Sequence, residues 1–456
     1  MNMKKYKVVF VWRFLTPNSG DLASSPWNYL YFQKDVTAKI DISRDLQSPK
    51  VLKILADSEL IIVGGGGLLG LKKYFDKIQF IVTNYSEKTV IWGAGSNWPR
   101  RDPPAELPSL QNCLFSGIRD FPLSATYAQY SEQTIRGSTY LPCASSLELY
   151  FLSYWKCKFL DRKKQNLHKN HRPNLKVLFS SNDAGKQAQS FPSSFMNKVE
   201  KVLSKNFDCS VSTIGNSNIR MLSCLDAIQS ADLIFTRSYH FAYWGLLLGK
   251  PVIAVPTSSK FNSIPSLYNN YLLFASCSEV FKFISSVNTS IFEEFIFKTS
   301  TSHDIHYYLQ SLLLNLSAAR NLYSQIGDLE SYKIFSSKYY DLLKILPTKV
   351  FSDIGINLKP SPQSDSSSSL ISSRTSLTAS EVDMLMTLYS GASPLLADNA
   401  INQSVELSEI DLQDYKCLAL NNIQNSISDQ VNCVISLGLM HRIKRRLKII
   451  VNMLLS

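Results

Sequence analysis

The 456-residue chain lacks any apolar run near the roughly 18–20 residues that a membrane-spanning helix needs. Its best N-terminal candidate, Val8–Trp12, stops at Arg13, is too short for a signal-peptide core, and is followed by no small-residue cleavage site. The eight cysteines (113, 143, 157, 209, 224, 277, 417 and 433) include no CxxC pair and no Cys/His cluster at zinc spacing. They are therefore expected to be isolated, mostly buried thiols in a reducing compartment. No HExxH and no Ser-His-Asp order is present, and no aromatic–basic interleaving points to nucleic acid. A cytoplasmic protein, soluble or peripheral to a membrane, is the expectation. Charged residues are scarce at 18%, yet Lys and Arg outnumber Asp and Glu by 48 to 36, a net +12. Such an excess suits an anionic ligand, a nucleic acid or an acidic membrane surface.

What is present is enough apolar material, 45% hydrophobic and 11% aromatic, for sizeable cores. The length calls for two or more domains. Short runs rich in Val, Ile and aromatics, each followed by Gly, Pro, Asn or Ser, predict strands at 7–12, 59–63, 88–92 and 113–118. A basic stretch at about 156–173 predicts a loop-like linker. The pattern then restarts, with strands expected at 175–179, 209–214, 232–236, 252–255 and 271–275, and helices from Pro192, Ile219 and Ser238. Continuous apolar strands predict parallel sheets covered on both faces. Two successive α/β units predict two Rossmann-like domains, at 1–155 and 174–350, facing each other across a cleft. The second would close with helices from about 303 to 346. Half of residues 361–380 are serine, which predicts a flexible linker, and 381–456 form a tail with weak helical character. From residue 361 onward, 7 Lys and Arg face 9 Asp and Glu, so the positive excess belongs to the body. The tail's own basic patch, at 441–448, leaves two readings for residues 441–456: peripheral contact with an anionic membrane, or a docked helix with a solvated basic face.

Four segments could carry chemistry. Gly64-Gly65-Gly66-Gly67 follows an apolar strand, and residues 65, 67 and 70 satisfy GxGxxG. The run is not on the first strand, and no acidic residue ends the next strand to hold a ribose, so an anion cradle fits better than a nicotinamide site. The alternative is a tight turn with close packing. Asn18-Ser19-Gly20-Asp21 follows the first strand; Asp21 could accept a hydroxyl proton, or the segment could be an ordinary helix cap. Arg237 and His240 lie three apart after the strand at 232–236, at the start of a helix with an apolar stripe of Phe241, Gly245 and Leu248. A guanidinium, an imidazole and a helix N-terminus at one sheet edge suit a multiply charged anion and a proton transfer. Lys260, in the loop after the following strand, is a candidate phosphate contact, and Arg119-Asp120 repeats the theme in the first half.

In order, these segments resemble the polysaccharide pyruvyl transferase family. The resemblance rests on NSGD at 18–21, ELIIVGGGG at 59–67, VIWGAGS at 90–96, Ile118-Arg119-Asp120, Leu141-Pro142, and RSYHFAYWGLLLGKPVIAVP at 237–256 with Lys260 after it. It covers roughly residues 5–350. It implies a fold like the two-Rossmann glycosyltransferases (GT-B-like), phosphoenolpyruvate as donor, and a sugar of a cell-surface polysaccharide or glycolipid precursor as acceptor. It also implies that neither metal nor cofactor is needed. His240, Arg237 and Asp21 would be catalytic, and Gly65, Gly66, Gly67, Arg119, Lys260 and Asn18 would bind the donor. The chain departs from the pattern at Cys143-Ala144, where relatives often carry Asp-Pro, and at Ser180-Ser181, where an arginine is expected. Two other readings stand beside it: a glycosyltransferase of the same architecture using a nucleotide sugar, and a non-catalytic member that binds glycan or acts as a scaffold.

Overall fold

Strands that are apolar at every position need cover on both faces, and the chain supplies it twice. The computed structural model describes residues 7–33, 36–69, 72–95, 97, 110, 112–119, 138–161, 174–181, 190–258, 260, 261, 264, 270–297 and 301–343. The linker expected at 361–380, the tail at 381–456, Gly70, Asp120, Cys417 and Cys433 lie outside the described residues. The first sheet has six parallel strands: β1 (Val8–Trp12), β2 (Thr37–Asp41), β3 (Leu60–Gly64), β4 (Thr89–Ala94), β5 (Phe115–Ile118) and β6 (Thr139–Tyr140). Their spatial order is β2-β1-β3-β4-β5-β6. Helices α1 (Ser19–Ala23), α2 (Pro49–Asp57), α3 (Lys72–Tyr85) and α4 (Leu149–Asp161) belong to the same stretch of chain. Along β1, Val8, Phe10 and Trp12 enter one core while Val9 and Val11 enter another, as the two-residue period of a strand requires.

The second sheet repeats the plan with β7 (Asn174–Ser181), β8 (Asp208–Gly215), β9 (Leu233–Thr236), β10 (Val252–Ala254) and β11 (Tyr271–Leu273). All pairings are parallel, in the order β11-β10-β9-β7-β8. Helices α5 (Ser193–Leu203), α6 (Met221–Ser230), α7 (Tyr239–Leu247), α8 (Cys277–Ser286) and α9 (Thr289–Phe297) accompany it, and α10 (Thr301–Gln325) and α11 (Leu329–Leu343) close the chain. In both sheets the strand order reverses beside the first strand of the unit, between β1 and β3 and between β7 and β9. The carboxyl ends of such strand pairs are where open α/β sheets bind ligands.

Several sequence expectations change. β2 and β6 were not expected: β2 (TAKID) is an edge strand with polar residues, and β6 has two residues. The basic segment from 156 begins as helix, since α4 runs to Asp161. The apolar stripe expected on α7 is instead a helix buried on all sides, from Tyr239 through Leu247. Among the cysteines, Cys143 and Cys224 are buried, Cys113, Cys209 and Cys277 are partly so, and Cys157 is exposed. No described helix is long and apolar enough to cross a membrane.

Two domains facing across a cleft were expected; the described residues of the two halves are packed together. One hydrophobic core runs from Phe10, Trp92 and Phe151 to Tyr243, Trp244 and Tyr323. Helices exchange across the expected domain boundary. From the first half, Trp155 on α4 donates its indole N–H to the Leu247 carbonyl at 2.9 Å. In return Asn315 on α10 accepts from the Trp92 indole at 2.9 Å, and the Tyr339 hydroxyl on α11 donates to the Leu147 carbonyl at 2.8 Å. Near the sheet edges, Ser19 N–H donates to the Asn216 carbonyl at 2.8 Å and Asn218 N–H to the Pro17 carbonyl at 2.8 Å. These bonds fix the loop after β1 against the loop after β8.

Asp41 anchors the other end of that first loop. It is fully buried, and its carboxylate accepts from the N–H groups of Phe14, Leu15 and Ser43 and from the Ser43 hydroxyl. Burial opposes its ionisation, but these bonds outweigh it and hold the carboxyl below its usual value. A depressed carboxylate contributes stability that is full above the unfolded pKa of about 3.9 and is lost as pH falls through the folded value. Asp41→Asn should therefore cost about 2 kcal/mol at neutral pH and flatten the acid-side fall in stability. Denaturant unfolding at pH 7 and below pH 4 measures both.

Candidate functional site

The carboxyl ends of β1 and β3 meet at the first reversal of strand order, and the residues after them form the candidate site. After β1, Arg13 leaves the strand and the chain reaches α1, capped by Asn18, whose Oδ1 accepts from the N–H groups of Gly20 and Asp21 at 2.9 and 3.1 Å. Asn18 was expected to bind donor; its side chain is used as this cap, and its backbone bridges to Ser217. Asp21 is 8% exposed and pairs with Arg13 at 3.2 Å.

After β3 the described residues 65–69 make a loop, and α3 is described from Lys72. Gly65 and Gly66 take φ of +83° and +79°, a region costly for any side chain. A Cβ on Gly65 would strike the Ser24 carbonyl, so packing explains that glycine. Gly66 and Gly67 face the site instead. A Cβ on Gly66 would stand 3.4 Å from Asp21 Oδ1, and one on Gly67 would stand 2.6 Å from Lys260 Cε and 2.5 Å from Asn97 Cβ. The N–H groups of Gly65 and Leu69 donate to the Trp92 and Gly95 carbonyls, and the Gly66 carbonyl accepts from Gly95 N–H. This ties the glycine loop to the loop after β4. Between those anchors, Gly66, Gly67 and Leu68 line a small pocket with Arg13, Asp21 and Asn97.

Three basic groups converge beside it. Arg119, just past β5, is 1% exposed; a Cβ on Gly95 would collide with its side chain, and its Cζ lies 4.2 Å above the Tyr239 ring. Lys260 reaches Gly67 from beyond β10. Burial lowers its pKa, with Asp21 opposing that shift and the charges of Arg119, Arg13 and Lys73 adding to it. His240, in the first turn of α7, is 2% exposed and faces Gly20 so closely that a Cβ there would overlap its ring. Its Nε2 is buried with no hydrogen-bond partner among the described residues. Burial, then the charges of Arg119 and Lys260, hold the imidazole well below its ordinary range and favour its neutral form at pH 7. An anion placed among these groups would offset both charges and raise the imidazole's affinity for a proton.

Arg237 does not share this arrangement. It precedes the Ser238 cap and is outside the first turn of α7, so the expected common face with His240 does not form. Its Nη1 donates to the Ser190 carbonyl at 2.9 Å, and its charge is felt by Cys277. The groups beside His240 are Arg119 and Lys260, both expected as donor contacts. Sequence reasoning missed Arg13, Asn97 and Tyr239. Arg13 was accessible, since it follows β1 at the same sheet edge that drew attention to Asn18–Asp21. Tyr239 stands inside the quoted segment 237–256 and Asn97 lies one residue past VIWGAGS at 90–96; neither carried a signal of its own.

No family model and no curated protein matches the chain. Among solved structures, it is similar to a glycosyltransferase from Rickettsia africae ESF-5, at 11% identity and a TM-score of 0.37, over 73% of this chain and 99% of that one. It is also similar to the wall teichoic acid polymerase TagF, at 9% identity and a TM-score of 0.37, over 72% and 90% of the two chains. At that level neither relative bears on the activity, and the chemistry is argued from the site itself.

Two outcomes test this geometry. If anion binding recruits a proton to His240, affinity for sulfate, which does not itself titrate here, should rise as pH falls from 8 towards the imidazole's ordinary value near 6.5. Calorimetric titration across that range should give this slope in the wild type and a flat line in His240→Gln. Gly20→Ala should displace the imidazole and weaken sulfate by about tenfold or more, while circular dichroism remains that of a folded chain.

Proposed function

We propose that the chain is a transferase that moves a pyruvyl group from phosphoenolpyruvate to a sugar of a cell-surface polysaccharide or glycolipid precursor, closing a cyclic ketal. The observation that carries this reading is the grouping of three basic side chains within electrostatic reach of one another: Lys260 against Gly67 of the glycine loop, a buried His240 against Gly20, and Arg119 against Gly95, with the Asp21 carboxylate near Lys260 and Gly66. Phosphoenolpyruvate carries a phosphate and a carboxylate on three carbons. Two fixed cations, with the N–H groups of the glycine loop, answer those two charged groups.

The chemistry needs one mobile proton and no redox step. C3 of the donor gains a proton and becomes a methyl group, leaving an oxocarbenium-like C2. One sugar hydroxyl oxygen bonds to C2, the C2–O bond to phosphate breaks, and a second hydroxyl oxygen bonds to C2. Of the two hydroxyl protons released, one balances that gained at C3 and the other leaves with phosphate. His240 supplies and recovers the proton, because its neutral resting form takes one up as the anion enters. Asp21, oriented by Arg13, is the candidate acceptor for a hydroxyl proton. Arg119 and Lys260 stabilise charge on the departing phosphate. Asn18 holds Asp21 in place through the α1 cap and does not touch donor in this scheme. Arg237 has no part in it.

A donor screen with liberated phosphate as readout tests the reading. Phosphate should be released from phosphoenolpyruvate only when a glycan acceptor is present. Binding of nucleotide sugars without binding of phosphoenolpyruvate would overturn it. His240→Ala should lower turnover by about 100-fold or more, the usual size of a general acid–base contribution. Lys260→Met should weaken phosphoenolpyruvate by about 10- to 100-fold through loss of one charged contact. Arg237→Gln should change donor affinity little.

A further inference from the structure

The Arg119 guanidinium comes from the first sheet and the His240 imidazole from the second, so something must hold them in register. Tyr239 touches both. Its ring lies 4.2 Å beneath Arg119 Cζ and meets the His240 ring edge-on, with centroids 5.0 Å apart at 77°. It also meets Phe261, the neighbour of Lys260, at 6.3 Å and 87°. One residue therefore borders the supports of all three basic groups. The ring is itself braced: it stacks on Tyr243, one helical turn on, at 5.9 Å and 11°, and the Tyr243 hydroxyl donates to the Cys143 carbonyl at 3.2 Å. Tyr239 is 3% exposed, so it is held on every side.

We propose that Tyr239 is a positioning residue whose ring face fixes the Arg119 guanidinium and the His240 imidazole as one anion-binding unit. A carboxylate in its place would hold the guanidinium as firmly but would cancel its charge. A ring face attracts the cation through its quadrupole and leaves the charge in place for a ligand. The edge-on contact with His240 restrains the imidazole's rotation, and His240 Nε2 has no hydrogen-bond partner among the described residues. The phenolic hydroxyl is not part of this role. As a claim about anion affinity this stands on geometry alone; as a claim about catalysis it rests on the function proposed above.

The test uses the full chain carrying Tyr239→Phe, and the same substitution with tri- and pentafluorinated phenylalanine, which drains the ring face of negative charge at nearly constant shape. Affinity for inorganic phosphate and for phosphoenolpyruvate is measured by calorimetry, with the unfolding midpoint as a control. Tyr239→Phe should bind both within about twofold of wild type, and affinity should fall stepwise with fluorination by about tenfold in all, at an unchanged midpoint. A flat response to fluorination would overturn the proposal, because a purely packing role tolerates the fluorinated rings equally. Loss of affinity already in Tyr239→Phe would overturn it as well, by assigning the role to the hydroxyl. Phosphate binding that follows the trend, without binding or turnover of phosphoenolpyruvate, would remove the proposed function and leave this inference intact. Turnover with a flat trend would do the reverse.

Discussion

The imidazole of His240 lies against the backbone of residue 20, and only a residue without a side chain permits that contact. Around it the two halves of the molecule meet. On one side is α1, held to the second half by Ser19 and Asn216; on the other is α7, buried along its whole length. Had the halves been separated by an open gap, His240 would be solvated and would titrate in its ordinary range. Burial at the seam, with Arg119 and Lys260 beside it, holds the imidazole's pKa well below its ordinary value. In the proposed function, anion binding and proton transfer both depend on this contact.

The helices that cross between the halves maintain this closure. Trp155 reaches Leu247, Tyr339 reaches Leu147, and Asn315 satisfies the Trp92 indole while its amide donates to the Pro142 carbonyl at 3.2 Å. An indole N–H buried without such a partner costs about 1–3 kcal/mol, so these polar contacts restrict how the core can pack. Pro142 and Cys143 are the chain against which Gly93 and Tyr243 rest. The scaffold and the site therefore share residues, and the braced stack of Tyr243 and Tyr239 links one to the other.

Many of the strands were legible in the sequence. The runs VVFVW, LIIVG and LIFT are apolar at each position, and only a strand covered on both faces uses such a run. β2 was hidden because an edge strand needs apolar residues on one side only, and TAKID offers a single large apolar side chain, Ile40. The stripe expected on α7 was too narrow because burial on all sides erases periodicity. Within the site, the glycine loop, Lys260, Arg119 and His240 were each named from a sheet edge, and the structure brings them near one another. Arg237 was paired with His240 on helical spacing, which fails when the cap falls between them. Tyr239 could not be found, because an aromatic in a buried helix looks like core until the guanidinium from a distant strand is seen above it.

The proposed function puts the anionic donor at the reversal of strand order in the first sheet, among Arg119, Lys260, His240 and the glycine loop. A crystal structure of the full chain soaked with phosphoenolpyruvate tests it most directly. The account predicts density for the phosphate beside Gly66 and Gly67, within hydrogen-bonding reach of Lys260, Arg119 and His240 Nε2. Density at the edge of the second sheet, on Arg237 and Ser180, with the first site empty, would contradict it.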